Sequence, residues 1–340
     1  MKFSTYILPA CIALLSSAQE LKTVQAETLP TSAVHRKATS TAKAQPEVLE
    51  ETASTSTIAK APAQTSSKSS PSSSPPSPAK NNLKDDPYTR CATQPDANQR
   101  TLLDRVPSQR NYTYKAERQI DVYIHVVTTE SKRDTYTESM IEDQLTVMND
   151  AYSSMGFTFN LAGSDFTVQD DWAAASAGGD EESQMKEALH MGSYADLNLY
   201  FLSDLGDGLL GFCYFPTESP SRQTRVLDGC INLAASLPGA EATNYNMGLT
   251  AVHEVGHWFG LYHVFDGNSC TGSGDFVSDT PVQSQATFGC PSKQDSCPDQ
   301  PGDDSIHNYM DYSYDQCLYE FTDGQAQRAR ALYDEYRAGN

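Results

Sequence analysis

The run "HEVGHWFGLYH" at residues 253–263 sets three histidines, a glutamate and a glycine at fixed spacings. His253 and His257 are four positions apart, and on a helix that interval stacks two imidazoles on one face, where one metal ion reaches both. Gly260 suits the left-handed turn that ends a helix. The chain can then double back and bring His263 in as a third nitrogen donor. Three neutral ligands leave a zinc ion one position for water, which is the catalytic arrangement rather than the closed structural one. Glu254, beside the first ligand, is placed to take a proton from that water and hand it to a leaving amine. An amphipathic core helix with satisfied histidines is the competing reading. It would have to put three of the chain's seven histidines at these positions by chance. His125, alternating within a strand, and His190, ending a helix, read as structural, and His307 carries no ligand role.

Upstream of this run the periodicities are those of a mixed domain. "IDVYIHVV" (120–127) reads as a strand, and Thr137–Met155 carries helical spacing through Met140, Ile141, Leu145, Met148 and Tyr152 up to Gly156. A second strand is expected over 157–163, a short helix over 181–191 with Gly192 as its cap, and a third strand over 196–202. Two short strands, 209–216 and 226–233, each carry a cysteine, and their proximity suggests a Cys213–Cys230 bridge. A helix follows Met247. Gly, Asp, Ser and Pro then dominate 266–305, and a final helix covers about 323–338. The sum is an α+β (α/β-like) domain with a loop-rich C-terminal half.

The N-terminal part is of another kind. Residues 1–18 have the short basic start, apolar run and small-residue end of a secretory signal peptide. No later segment has the roughly 18 apolar residues of a membrane helix. Between 19 and 118 the sequence is largely of low complexity, and 65–78 is Ser, Thr or Pro at every position but Lys68. Such a tract buries too little apolar surface to offset its ordering entropy, so it should be disordered, and it is a candidate for O-glycosylation. Asn111-Tyr112-Thr113 is an N-glycosylation sequon. Residues 119–340 have the size of one folded domain. The net charge of −20 argues against nucleic acid or an anionic membrane as partner and suits cations or basic substrates, though solubility alone would also explain it.

Met310 lies in "IHNYMDYSYDQC" (306–317), whose three tyrosines and two aspartates fit no helix or strand period. Together with "HEVGHWFGLYH", "GDFVSDTP" (274–281) and "GCPSKQDSCP" (289–298), this segment resembles the metzincin clan of zinc metalloendopeptidases. More narrowly it is similar to the pappalysin family, whose small secreted members include fungal extracellular metalloproteinases. The resemblance covers roughly 120–340 and implies a twisted mixed sheet with an active-site helix. It implies a secreted endopeptidase, with zinc on His253, His257 and His263 and Glu254 as general base, acting on protein or peptide substrates. The alternative is a non-catalytic secreted binding or adhesion module stabilised by calcium or zinc, in which Glu254 would be dispensable.

Other roles rest on the resemblance alone. Met310 matches the methionine that floors the metal site, and Tyr312 the tyrosine that stabilises the oxyanion. Asp315 matches an acid at the base of the S1′ pocket, which would favour Arg or Lys just after the scissile bond. Bridges Cys270–Cys297 and Cys290–Cys317 would staple the loop-rich half. Asp275, Asp279 and Thr280 match positions that bind structural Ca²⁺. With Cys213–Cys230, these bridges leave Cys91, in "TRCATQP", as the odd one of the seven cysteines beyond the expected signal peptide. A zymogen switch, with its thiolate on the fourth zinc position, competes with an interchain disulfide or a free thiol. A switch would place the activating cut between Cys91 and Asp121, where Arg100, Arg105, Arg110 and Arg118 are available.

Overall fold

The computed structural model describes residues 86–106 and 117–339. The expected signal peptide, the Ser/Pro tract, the Asn111 sequon and Arg110 lie outside the described residues.

Among the described residues five strands form one sheet: β1 (Arg118–Thr128), β2 (Phe157–Val168), β3 (Leu197–Leu202), β4 (Gly211–Cys213) and β5 (Cys230–Leu233). Their order is β2-β1-β3-β5-β4. All neighbours run parallel except β4, which pairs antiparallel to β5 at the edge. Strand β3 is buried at every position, as a strand covered on both faces should be. The helices are α1 (Ala97–Leu103), α2 (Glu138–Ser153), α3 (Asp170–Ala173), α4 (Asp180–Leu189), α5 (Arg222–Leu227), α6 (Leu249–Trp258) and α7 (Asp323–Tyr336). The architecture is α+β.

Three expectations need correction. The second strand runs on to Val168, because its outer half pairs with β1 through Thr128. The strand expected over 209–216 shrinks to Gly211–Cys213. The one expected over 226–233 splits: Ser221 caps α5 by accepting from the Thr224 N–H, and β5 starts only after Gly229. Gly229 has φ +96°, and a Cβ there would overlap the Asn198 carbonyl, so only glycine lets the chain turn onto β3 at that point. Within 19–118, expected to be largely disordered, residues 86–106 pack on the domain. Leu103 is fully buried among Phe215, Tyr262 and Leu332.

Helix α6 is buried along its whole length and packs on β4, β5 and α2. Helix α2 meets it with Ile141, Met148 and Tyr152, and the Tyr152 hydroxyl donates to the Val252 carbonyl at 2.7 Å. The end of α6 is a Schellman turn: Gly260 (φ +93°) donates to His257 O and Leu261 donates to Gly256 O. That turn is what swings His263 back toward the helix.

At its other flank α6 is tied to α7. Arg337 donates to both oxygens of Asp228, at 2.7 and 3.0 Å, and to the Trp258 carbonyl at 2.9 Å. Its guanidinium lies 3.9 Å over the Trp258 ring. A planar fork on a carboxylate and an aromatic face is a job for arginine rather than lysine.

The chain between α6 and α7 has only one turn of 3₁₀ helix, Asp315–Cys317. It is stapled by Cys270–Cys297 and Cys290–Cys317, while Cys213–Cys230 joins β4 to β5. In the chain-entropy view each staple of the loop half is worth about 3–4 kcal/mol, which a segment so poor in backbone ladders needs.

Candidate active site

Helix α6 and its terminal turn bring His253, His257 and His263 to one place, all at most 2 % exposed. The Nδ1 of His253 lies 2.7 Å from the Tyr309 carbonyl, and that of His257 lies 2.8 Å from the Leu261 carbonyl. A carbonyl only accepts, so both Nδ1 atoms carry the proton and both Nε2 lone pairs face inward. Burial pushes all three imidazoles below their ordinary range, His257 to about 4, which keeps them neutral donors. The Nε2 of His253 is buried with no hydrogen-bond partner, and the donor atoms of the three histidines and Cys91 all lie within 4.8 Å of one another. Three imidazole nitrogens, that of His253 without a partner and those of His257 and His263 3.1 Å apart, and a sulfur close by are a donor set that suits Zn²⁺.

Glu254 is fully buried beside this cluster, and burial pushes its carboxyl up to about 8, moderated by hydrogen bonds from Cys91 and Thr93. Strand β4 can lie against it because residue 211 is glycine. A Cβ there would stand 2.9 Å from the Glu254 Cγ.

Residues 86–93 cross the site. Thr89 donates to Gly208 O and accepts from the Leu210 N–H, and it forms a parallel bridge with Leu209 on the approach to β4. The Cys91 thiol donates to Glu254 Oε2 at 3.3 Å. Thr93 Oγ1 donates to the same oxygen at 3.1 Å and accepts from the Cys213 N–H at 2.8 Å. Burial, and then the Glu254 charge, push the Cys91 thiol up. A cation among the imidazoles would reverse that, because coordination deprotonates a thiol. Arg90, one residue earlier, is buried and donates through Nη2 to Asp315 Oδ1 (2.6 Å) and to Ser313 O (2.8 Å). It also lies 4.9 Å from the centre of the Tyr245 ring. The second Asp315 oxygen accepts from the Met247 N–H at 3.0 Å.

The segment 308–317 is one wall of the site. Met310 is fully buried with its sulfur against Gly256 of α6, where a Cβ would overlap it. The Tyr312 hydroxyl donates to the Cys91 carbonyl at 3.1 Å and lies 3.3 Å from the His263 Nε2. Asp311 accepts from the Thr287 and Tyr312 N–H groups and from Gln283 Nε2. Asn308 exchanges two hydrogen bonds with Gln325 at the start of α7.

The remaining residues of interest scatter. Asp275 and Thr280 bond to each other, and burial pushes the Asp275 carboxyl up to about 7. Asp279 instead caps α7, accepting from Thr322 Oγ1 and the Gly324 N–H. Among the described residues, no group of three or more His, Cys, Asp or Glu gathers around a possible metal other than Cys91 and the three histidines. His125 bridges Asp165 and Asn198 inside the sheet, His190 follows α4, and His307 donates to Cys317 O. Sequence reasoning missed Arg90, Thr93 and the Arg100–Asp266 pair described below. The position of Arg90 directly before the odd cysteine was the available signal, but its partner is 225 residues away.

A buried three-histidine donor set on a helix that ends in a glycine turn, with a carboxylate beside it and a methionine beneath, is the arrangement expected of a metzincin-type zinc site. A family model described as pregnancy-associated plasma protein-A, the Peptidase_M43 family, matches residues 180–334. An extracellular metalloprotease of Sordaria macrospora is 52 % identical over 222 residues, 64 % of this chain and 76 % of that one. One from Neurospora crassa is 50 % identical over 229 residues, 66 % and 78 % of the two chains. Mature mirolysin of Tannerella forsythia, solved with a cleaved peptide, is 28 % identical with a TM-score of 0.55, covering 66 % of this chain and 97 % of that one. A promirolysin mutant gives 27 % and 0.56, over 69 % and 88 %. The chain belongs to the pappalysin family, Peptidase_M43, and is a secreted zinc metalloendopeptidase.

Proposed function

We propose that the chain is made as a latent precursor in which residues 19–118 are a removable prosegment and 119–340 the catalytic domain. His253, His257 and His263 hold the zinc, which when bound supplies Lewis-acid chemistry and a more acidic water. Glu254 takes the proton from the attacking water and returns it to the leaving amine, a role that suits a carboxyl poised near neutrality. The Tyr312 phenol, now on the Cys91 carbonyl, donates to the oxyanion of a substrate carbonyl brought to the same place. Met310 fixes the height of α6 by filling the space that Gly256 leaves.

The carrying observation is the Arg90–Cys91 pair. Arg90 fills a buried pocket on Asp315 while Cys91 reaches the histidine nitrogens. The prosegment so displays the side chain that Asp315 accepts, which supports a preference for Arg or Lys immediately after the scissile bond. Mirolysin, solved with a cleaved peptide, is a relative that acts on peptides.

The test is a peptide library read with and without a zinc chelator, on wild type and Asp315→Asn. Cleavage before Arg and Lys that Asp315→Asn abolishes is expected. Equal cleavage before Leu and Arg by the wild type would sink the pocket assignment, and a Cys91→Ala precursor as latent as wild type would sink the switch. Structural calcium at the 274–280 loop is the finer metal reading, supported by the buried Asp275 carboxylate, whose partners are Thr280 and the Val277 N–H. A melting temperature unchanged by calcium chelation would remove it.

A further inference from the structure

Helix α1 sits on the catalytic domain through contacts of its own, apart from those of Arg90 and Cys91. Arg100 grips Asp266 with both terminal nitrogens, at 2.5 and 2.9 Å, and lies 5.2 Å over the Tyr262 ring. Asp104, four residues on, accepts from the Tyr262 hydroxyl at 3.1 Å and is 3.7 Å from Arg328. Leu103 and Val106 fill the space over Phe215, Tyr262, Leu332 and Tyr336. Arg328 is 2 % exposed, and its Nε and Nη2 have no hydrogen-bond partner. The domain thus presents one acid, one base and an aromatic floor, and α1 answers them with a base, an acid and a leucine between.

This face is continuous with the metal site, since Phe215 packs edge-on against both His257 and Tyr262. The prosegment also fixes the order of the surfaces: Arg90 at Asp315, Cys91 at the histidines, α1 at Phe215 and Tyr262. If Asp315 reads the residue after the scissile bond, the α1 face lies on the side of the residues before it.

We propose that the face under α1 is a second substrate-binding surface, on the N-terminal side of the scissile bond. Its occupant is an amphipathic segment of the polypeptide being cut, with a basic residue, a leucine three positions later and an acid at the fourth. The inference rests on the prosegment reading above, because α1 has to leave with the prosegment. Once it does, Phe215, Tyr262, Leu332 and Tyr336 form an exposed apolar patch next to a catalytic centre, rimmed by Asp266 and Arg328, which is how a docking site is built.

The test uses enzyme activated from the full-length precursor and freed of its prosegment. Two substrates share one cut site before Arg. In one, residues 96–106 of this chain stand upstream behind a Gly/Ser spacer; in the other the same residues are scrambled. The expected result is a KM about tenfold lower for the native segment at similar kcat, as for binding shared by ground and transition states. The advantage should fall to about twofold or less with Asp266→Asn, or with Arg100→Ala in the substrate. Equal KM values for the two substrates overturn the proposal, as does N-terminal sequencing that finds residues 97–106 still on the activated enzyme. Failure of the Asp315 reading is separate: it would change the residue required after the cut and leave the native-to-scrambled ratio intact.

Discussion

Replacing Arg90 by methionine in the full-length precursor keeps most of the stem and removes the charge. The lost ion pair with Asp315 is 2.6 Å long between side chains that are 1 % and 0 % exposed. The bond to Ser313 O at 2.8 Å goes with it. Removing one partner of a buried pair costs about 3–5 kcal/mol, much of it for the carboxylate left dry. When the prosegment lifts away, Asp315 regains water and recovers that loss, so the cost falls on the closed state. Taking about 3 kcal/mol, the open fraction rises on the order of 100-fold. The Cys91 thiol reports this directly: it is buried when closed, so its alkylation rate in the intact precursor scales with the open fraction. Arg90→Lys is the informative control. Only Nη2 makes hydrogen bonds, while Nε and Nη1 have no partner, so one ammonium can replace most of what the guanidinium does. Arg90→Met alkylating within twofold of wild type would refute the reasoning, and so would Arg90→Lys behaving like Arg90→Met.

Gly256→Ala puts a methyl onto the Met310 sulfur between two fully buried elements. It should lower stability by about 1–3 kcal/mol, seen as a reduced denaturant midpoint, with Met310→Ala on the same background recovering part of the loss. Tyr312→Phe should reduce kcat of the activated enzyme by about 10²-fold with KM little changed, by steady-state kinetics. Burial raises the Asp311 carboxyl from its ordinary 3.8 to about 6, so the folded state holds this proton more tightly than the unfolded chain. Its contribution is therefore full below about pH 4 and lost as pH rises through 6, about 3 kcal/mol in all. Asp311→Asn should flatten the fall in unfolding free energy over that window, and an unchanged pH profile would show that another group sets it.

The sequence made the histidine-bearing helix legible because its pattern is local. His253, His257, Gly260 and His263 are tied together by helix pitch and one glycine turn, and the structure brings their side chains to one point. Strands β1 and β3 were legible for a similar reason, as apolar runs of one period. The split between α5 and β5 was not, because it depends on Ser221 as a cap and on the approach of Gly229 to Asn198, neither of which alters the apolar pattern. Residues 86–106 hid for the opposite reason. They are polar and follow a Ser/Pro tract, and their order comes from partners such as Asp266 and Asp315, more than 160 residues away in sequence. No window of local composition holds such information.

The pairing of carboxylates across the cleft has a further consequence. In the structure Asp315 meets Arg90, Asp266 meets Arg100, and Glu254 meets a thiol and a hydroxyl. On the prosegment reading, cutting that segment away would remove both guanidinium groups at once and leave these acids without their partners, in a chain that is acidic over its full length. On that reading the cap is a counter-charge as well as a plug. An enzyme uncapped in this way would draw cationic polypeptides in from beyond contact distance and turn acidic ones away before any pocket reads them. That long-range sorting would weaken with salt, since the screening length shrinks to about 8 Å at physiological ionic strength, so the choice of substrate would depend on the medium.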